Sequence, residues 1–109
     1  MLWEEIACKL LVNVYHAVSA VAEVSEEGVV MAVSLFDTES GVLPELCASN
    51  ADEIWFFSNH PEGCEELYEK DLENISILLT RYPWAKLRVL LTNEDFICKE
   101  CALFPQEKM

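Results

Sequence analysis

The segment that leaves this chain least conformational choice is Val29 to Phe36. It is a run of β-branched and apolar residues interrupted only by Ser34, with Gly28 before it and the polar group Asp37 to Gly41 after it. Branched side chains on a pleated backbone bounded by turn residues predict a strand. The near absence of polar alternation predicts one buried on both faces. Glu53 to Phe57 and Leu87 to Leu91 are shorter runs of the same kind. Trp55, Phe56 and Phe57 cannot all point one way from a strand, so at least one of them should pack beneath a helix.

Between the strands the period lengthens. From Pro61 to Tyr82, Cys64, Leu67, Tyr68, Leu72, Ile75, Leu78, Leu79 and Tyr82 recur at helical spacing, and Pro83 ends the pattern. Leu43 to Ala48, around Pro44, reads as a short helical piece. Residues 2 to 24 carry Trp3, Ile6, Ala7, Leu10, Val14, Ala17, Val18 and Val21 at helical spacing. They predict an N-terminal apolar helix covered on more than one face, which gives a possible homodimer seam. A rival reading ends that helix near His16 and makes Ser19 to Val24 a strand, hairpinned through Ser25 to Gly28 onto the next run. Phe96 to Phe104 fits either a short helix or a strand.

Strands alternating with helices predict an α/β fold: a small three-layer, Rossmann-like domain with a mainly parallel sheet of about three strands. At 109 residues, the expectation is a single domain over residues 1–109.

Charge narrows the partners. The formal net charge is −13, and between Lys9 and Lys70 there is no Lys or Arg against twelve Asp and Glu. Such a field repels phosphate backbones and anionic headgroups, so neither direct nucleic-acid binding nor membrane binding is expected. A protein partner with a basic surface is. Five cysteines and no signal-peptide pattern favour a reducing cytoplasm. Leu10 to Val24 is too short and too polar to span a bilayer.

Several groups are candidates for chemistry. Sheets of this class bind ligands beyond the carboxyl ends of their strands. Those ends carry Asp37, Thr38, Glu39 and Ser40, then Ser58, Asn59 and His60, then Thr92, Asn93, Glu94 and Asp95. Four carboxylates could converge there, and a hard cation wants one or two of them beside a phosphorylated substrate. The helix from Pro61 carries Glu62, Glu65, Glu66, Glu69 and Glu73 along its other side, a candidate partner-binding stripe. His60 and Cys64, one helical turn apart, with Cys98 and Cys101 would make a four-coordinate zinc site.

Three resemblances attach to these motifs. His60-Pro61-Glu62 with Cys98-Lys99-Glu100-Cys101 resembles the H-x-E and C-x-x-C signature of zinc deaminases. That resemblance implies zinc on His60, Cys98 and Cys101, with Glu62 as the catalytic proton shuttle. Ile97 stands where that family has Pro. Leu35 to Leu43 is similar to the nucleophile loop of haloacid-dehalogenase-type phosphatases, with Glu39 in place of the second Asp. The order of strand, polar turn, Leu-Pro and helix resembles Rossmann-type sensor domains for cyclic oligoadenylates, which implies nucleotide sensing. Because the charge belongs to the whole chain, the leading expectation is a non-enzymatic acidic interaction protein, such as an inhibitor, immunity-type or regulatory subunit. A zinc-dependent hydrolase or deaminase is the alternative.

Overall fold

The computed structural model describes residue 5 and residues 18–40, 43, 51–60, 66–93 and 99–104. Within them lie β1 (Val18–Val24), β2 (Val30–Asp37), a 3-10 turn (Thr38–Ser40), β3 (Glu53–His60), α1 (Glu69–Arg81), β4 (Lys86–Asn93) and β5 (Lys99–Phe104). The strands form one sheet in the order β2-β1-β3-β4-β5. Among these strands only β3 and β4 pair in parallel, while β1 with β2, β1 with β3, and β4 with β5 are antiparallel.

This overturns the Rossmann-like expectation. The sheet is mixed and five-stranded, carries one helix of 13 residues, and has no apolar helix among the described residues. The departure begins at Val18 to Val24, which is a strand and not the end of an N-terminal helix. Residues 2–4 and 6–17, over which the rest of that helix is expected, lie outside the described residues, as do 44–48 of the short helical piece. Six of the seven β1 residues are buried, on both sides of the strand, so no polar alternation marks the segment in the sequence. Its alanines are small for a reason. Ala20 pairs with Phe57 and Ala22 with Trp55, and the small side chains leave room for the aromatic rings on the shared face.

The rival hairpin reading is the one the fold adopts. Ser25 O accepts from Gly28 N at 2.9 Å, Ser25 N donates to Val29 O at 2.9 Å, and the Ser25 hydroxyl accepts from Val29 N at 3.2 Å. Gly28 supplies the left-handed conformation that closes the turn, with φ of 80°. The hairpin lays β2 on the sheet's edge. The expected strand buried on both faces therefore alternates between half-buried and exposed residues along its whole length.

Each face of the central strands is buried. Ile54 and Phe56 on β3, Val21 on β1, and Leu87 and Val89 on β4 pack with Ile75 and Leu78 of α1. Phe56 is therefore the aromatic beneath the helix. Trp55 and Phe57 join Ala20, Ala22, Val24 and Leu90 on the opposite face. Burying side chains of this size contributes about 1.5–3 kcal/mol each. Across that face Arg88 bonds Glu53 Oε1 at 2.6 Å and Glu100 Oε2 at 2.7 Å, joining β3, β4 and β5. Hydrogen bonding to Glu53 leads the effects that hold its guanidinium above the ordinary arginine value, against a partial loss of solvation.

The helix starts later than its period implied. Residues 66–68 are not helical, Glu69 opens α1, and residues 61–65 lie outside the described residues. Its buried face is Asp71, Asn74, Ile75 and Leu78, which leaves Leu72, expected on that face, 55% exposed. The terminal segment is a strand, β5, over Lys99–Phe104. No helix among the described residues is long and apolar enough to cross a membrane.

Gly28 offers a clean test of the hairpin. A Cβ there would meet nothing within 4 Å, so the cost of Gly28→Ala is that of the backbone conformation alone. Urea denaturation should show a loss of about 1–2 kcal/mol. An unchanged midpoint would mean that the turn does not hold this geometry.

Candidate functional site

Because β2 and β3 both run opposite to β1, and β4 runs with β3, the carboxyl ends of β2, β3 and β4 lie at one end of the sheet. Asp37, Thr38, Ser58, Asn59, His60 and Thr92 thus lie at one end although the sheet is mixed, and of the four carboxylates expected there Asp37 and Glu39 are exposed while Glu94 and Asp95 lie outside the described residues. What gathers there beneath α1, among the described residues, is a buried polar cluster. Ser19, Thr38, Ser58, His60 and Asp71 are each 0% exposed, while Asn59 and Thr92, at most 2% exposed, lie on the opposite face of the sheet.

Asp71 organises the cluster. Strand alternation places Ser58 and His60 on the same side of β3 as Ile54 and Phe56, beneath α1. The Ser58 hydroxyl donates to Asp71 Oδ1 at 2.6 Å, and His60 Nε2 lies 2.7 Å from Asp71 Oδ2. A carboxylate only accepts, so with Asp71 ionised the imidazole donates from Nε2. The Tyr68 backbone N–H donates to Oδ2 at 3.0 Å, which satisfies one of the orphan amides at the helix start. The Tyr68 ring also stacks on His60 with centroids 3.9 Å apart. One side chain therefore fixes the beginning of α1 on the end of β3.

Other bonds close the same end. Ser19 Oγ and Thr38 Oγ1 are 2.7 Å apart, tying the start of β1 to the 3-10 turn. Asp37 Oδ1 accepts from Glu39 N at 3.0 Å, and Ser40 Oγ donates to Asp37 O at 2.8 Å. The amide of Asn74 and the hydroxyl of Thr92 have no hydrogen-bond partner among the described residues.

The Ser58 hydroxyl and the His60 ring meet on the same carboxylate. The Ser58 hydroxyl donates its hydrogen bond to that carboxylate, and Ser58, His60 and Asp71 are all shut from solvent. The carboxylate's hydrogen bonds join the start of α1 to the end of β3 where apolar packing would otherwise be expected.

The zinc candidates fall differently. Asp71 engages Nε2 of His60, so a metal at His60 would have to take Nδ1, with Asp71 as its outer partner. Cys101 lies beside Val89, at the irregularity between the Val89–Ala102 and Leu90–Glu100 pairs. His60 pairs with Asn93, four residues further along β4. The registers thus set the two apart, and no group of three or more His, Cys, Asp or Glu able to hold a metal occurs among the described residues. Cys64, Cys98 and Glu62 lie outside those residues, as do Glu94 and Asp95. Cys101 is exposed and free, with Sγ 3.5 Å from Val89 O. Partial burial of the sulfur, aided by Asp71 and Glu100, pushes its thiol above the ordinary value.

Of the acidic stripe, Glu66, Glu69 and Glu73 are exposed, and Glu62 and Glu65 lie outside the described residues. Glu73 Oε2 is 3.0 Å from Lys70 Nζ. That bond, above all, holds the Lys70 ammonium higher than usual, with smaller effects from Glu39 and Glu69. Motif and charge pattern do not single out Asp71 or Asn74. The available signal is their spacing, since Asp71, Ile75 and Leu78 fall on one helical stripe and Ser58 and His60 sit two apart on a strand.

No family model, characterised protein or solved structure matches the chain.

Asp71→Ala would leave Ser58, His60 and the Tyr68 amide without their common acceptor. Chemical denaturation should register about 3–5 kcal/mol of destabilisation, with amide exchange rising first at residues 69–72. A loss under about 1 kcal/mol, the scale of a single ordinary hydrogen bond, would refute the fastening role. Cys101, with its thiol raised by burial, should react with iodoacetamide near neutral pH more slowly than an unstructured peptide cysteine, read by peptide mapping. Faster labelling would contradict that environment.

Proposed function

We propose that this chain is an acidic interaction protein, of inhibitor, immunity or regulatory type, that docks on a basic surface of a protein partner. The observation that carries this reading is where the carboxylates sit. Glu26, Glu27, Asp37, Glu39, Glu66, Glu69 and Glu73 are all exposed, and six of these seven fall in the stretch without a single Lys or Arg. Lys70 and Arg88, two of the described cations, are already bound to carboxylates. The negative field therefore reaches solvent largely uncancelled. Such a field raises encounter rates with cationic surfaces and disfavours anionic ones.

The buried cluster is compatible with this role. It stiffens the end of the sheet from within and leaves the outer surface to make contacts.

A Lys- and Arg-rich peptide is a suitable probe, with binding followed by fluorescence anisotropy. Affinity should fall on the order of tenfold between low salt and about 0.3 M salt, where charges are screened beyond a few ångströms. The charge reversals Glu69→Lys and Glu73→Lys, made together, should weaken it further. Binding that is absent, or indifferent to salt, would remove the support for this reading.

A further inference from the structure

The exposed large apolar residues of the described surface are not scattered evenly. Leu72, Trp84 and Leu103 stand singly, but Val29, Met31, Val33 and Leu35 are 58%, 41%, 36% and 49% exposed at alternate positions along one edge of the sheet. Isolated exposed apolar residues are ordinary, whereas three on one strand with a fourth just before it are not. That strand is an edge, with β1 on one side and no strand on the other among the described residues. Its outer backbone groups form a template for a further strand.

Edge strands are commonly protected by charges, proline or bulges. Here the register shifts only near the start of β2, between Glu23 and Val24. From Ala32 to Asp37 it runs uninterrupted, and this half carries no charge before Asp37. In that half, Val33 and Leu35 share a face with Ala22 and Ala20, their partners on β1. Their exposed side chains thus extend the apolar face that buries Trp55 and Phe57.

We infer that the Ala32–Asp37 edge of β2 binds an extended segment of a partner protein by strand addition, that segment being apolar at alternate positions and carrying Lys or Arg at its ends. Main-chain pairing would supply affinity, and the alternate side chains would meet Val33 and Leu35. Charge selects the occupant. Glu26 and Glu27 flank one end of the strand, Asp37 and Glu39 flank the other, and all four are exposed. A second copy of this chain would bring another −13 charge against the same edge, and in a parallel pairing would set Asp37 against Asp37. A cation-ended strand meets neither obstacle. This inference rests on the reading of the chain as an acidic docking protein and names the contact surface.

The test uses a synthetic peptide of alternating Val and Thr with lysines at both ends, against the full chain and its Val33→Thr, Leu35→Thr double variant. Threonine keeps strand propensity at these exposed positions, and an unchanged melting curve verifies the fold. Strand addition is expected to give binding that the double variant weakens at least about tenfold, with slowed amide exchange along β2 in the wild-type complex. Equal binding by the variant, with loss instead on reversing Glu69 and Glu73, would overturn the edge assignment while leaving the docking role intact. Failure of every cationic peptide to bind would overturn both. A wild-type dimer in sedimentation, split by the double variant, would make a second copy the occupant and equally overturn the inference.

Discussion

A carboxylate with no surface in contact with solvent accepts hydrogen bonds from the Ser58 hydroxyl and the Tyr68 amide and sits 2.7 Å from the ring nitrogen of His60. Burying a charge is costly unless it is paired and hydrogen-bonded, and the three partners of Asp71 meet that condition. Satisfying it fixes where α1 begins and brings its first turn over the end of β3. It also sets the helix's rotation about its axis. Ile75 and Leu78, one and two turns further on, then face Phe56 and Val89. The same rotation turns Leu72 outward.

The parallel pairing of β3 with β4 follows from this helix. A parallel neighbour requires a crossover, and α1 is the crossover. The remaining pairings are antiparallel, and the link between β1 and β2 is a tight turn closed by Gly28. The sheet thus has a rigid, doubly buried centre and two edges of different character. Toward the β5 edge, Arg88 links β3, β4 and β5. The β2 edge is apolar and ringed by acids. The closed polar cluster ties α1 to the sheet between these two edges.

Part of this was legible in the residues. The strands beginning near Val29, Glu53 and Leu87, the helix ended by Pro83, and the turn at Ser25 to Gly28 follow from branching, period and turn chemistry, each a local property. The buried cluster was less so. Ser58, His60 and Asp71 are the residue types that usually occupy loops and caps, and their pairing spans 11 and 13 positions. Only the spacing along each element hinted that they face the core.

Composition by itself determined the sign of the protein's field, because a stretch without a base cannot be neutralised by any local fold. Local pattern determined the individual strands and the helix, because backbone sterics and turn geometry act between near neighbours. Tertiary structure decided the rest. Val18 to Val24 carries a period compatible with either helix or strand, and becomes a strand because Ala20 and Ala22 fit against Phe57 and Trp55. Val29 to Phe36 looks fit for a buried centre, and lies at an edge because its hairpin partner β1 pairs β3 on its other side. Hydrophobicity says that a strand wants cover. Only the pairing order says whether the chain supplies it.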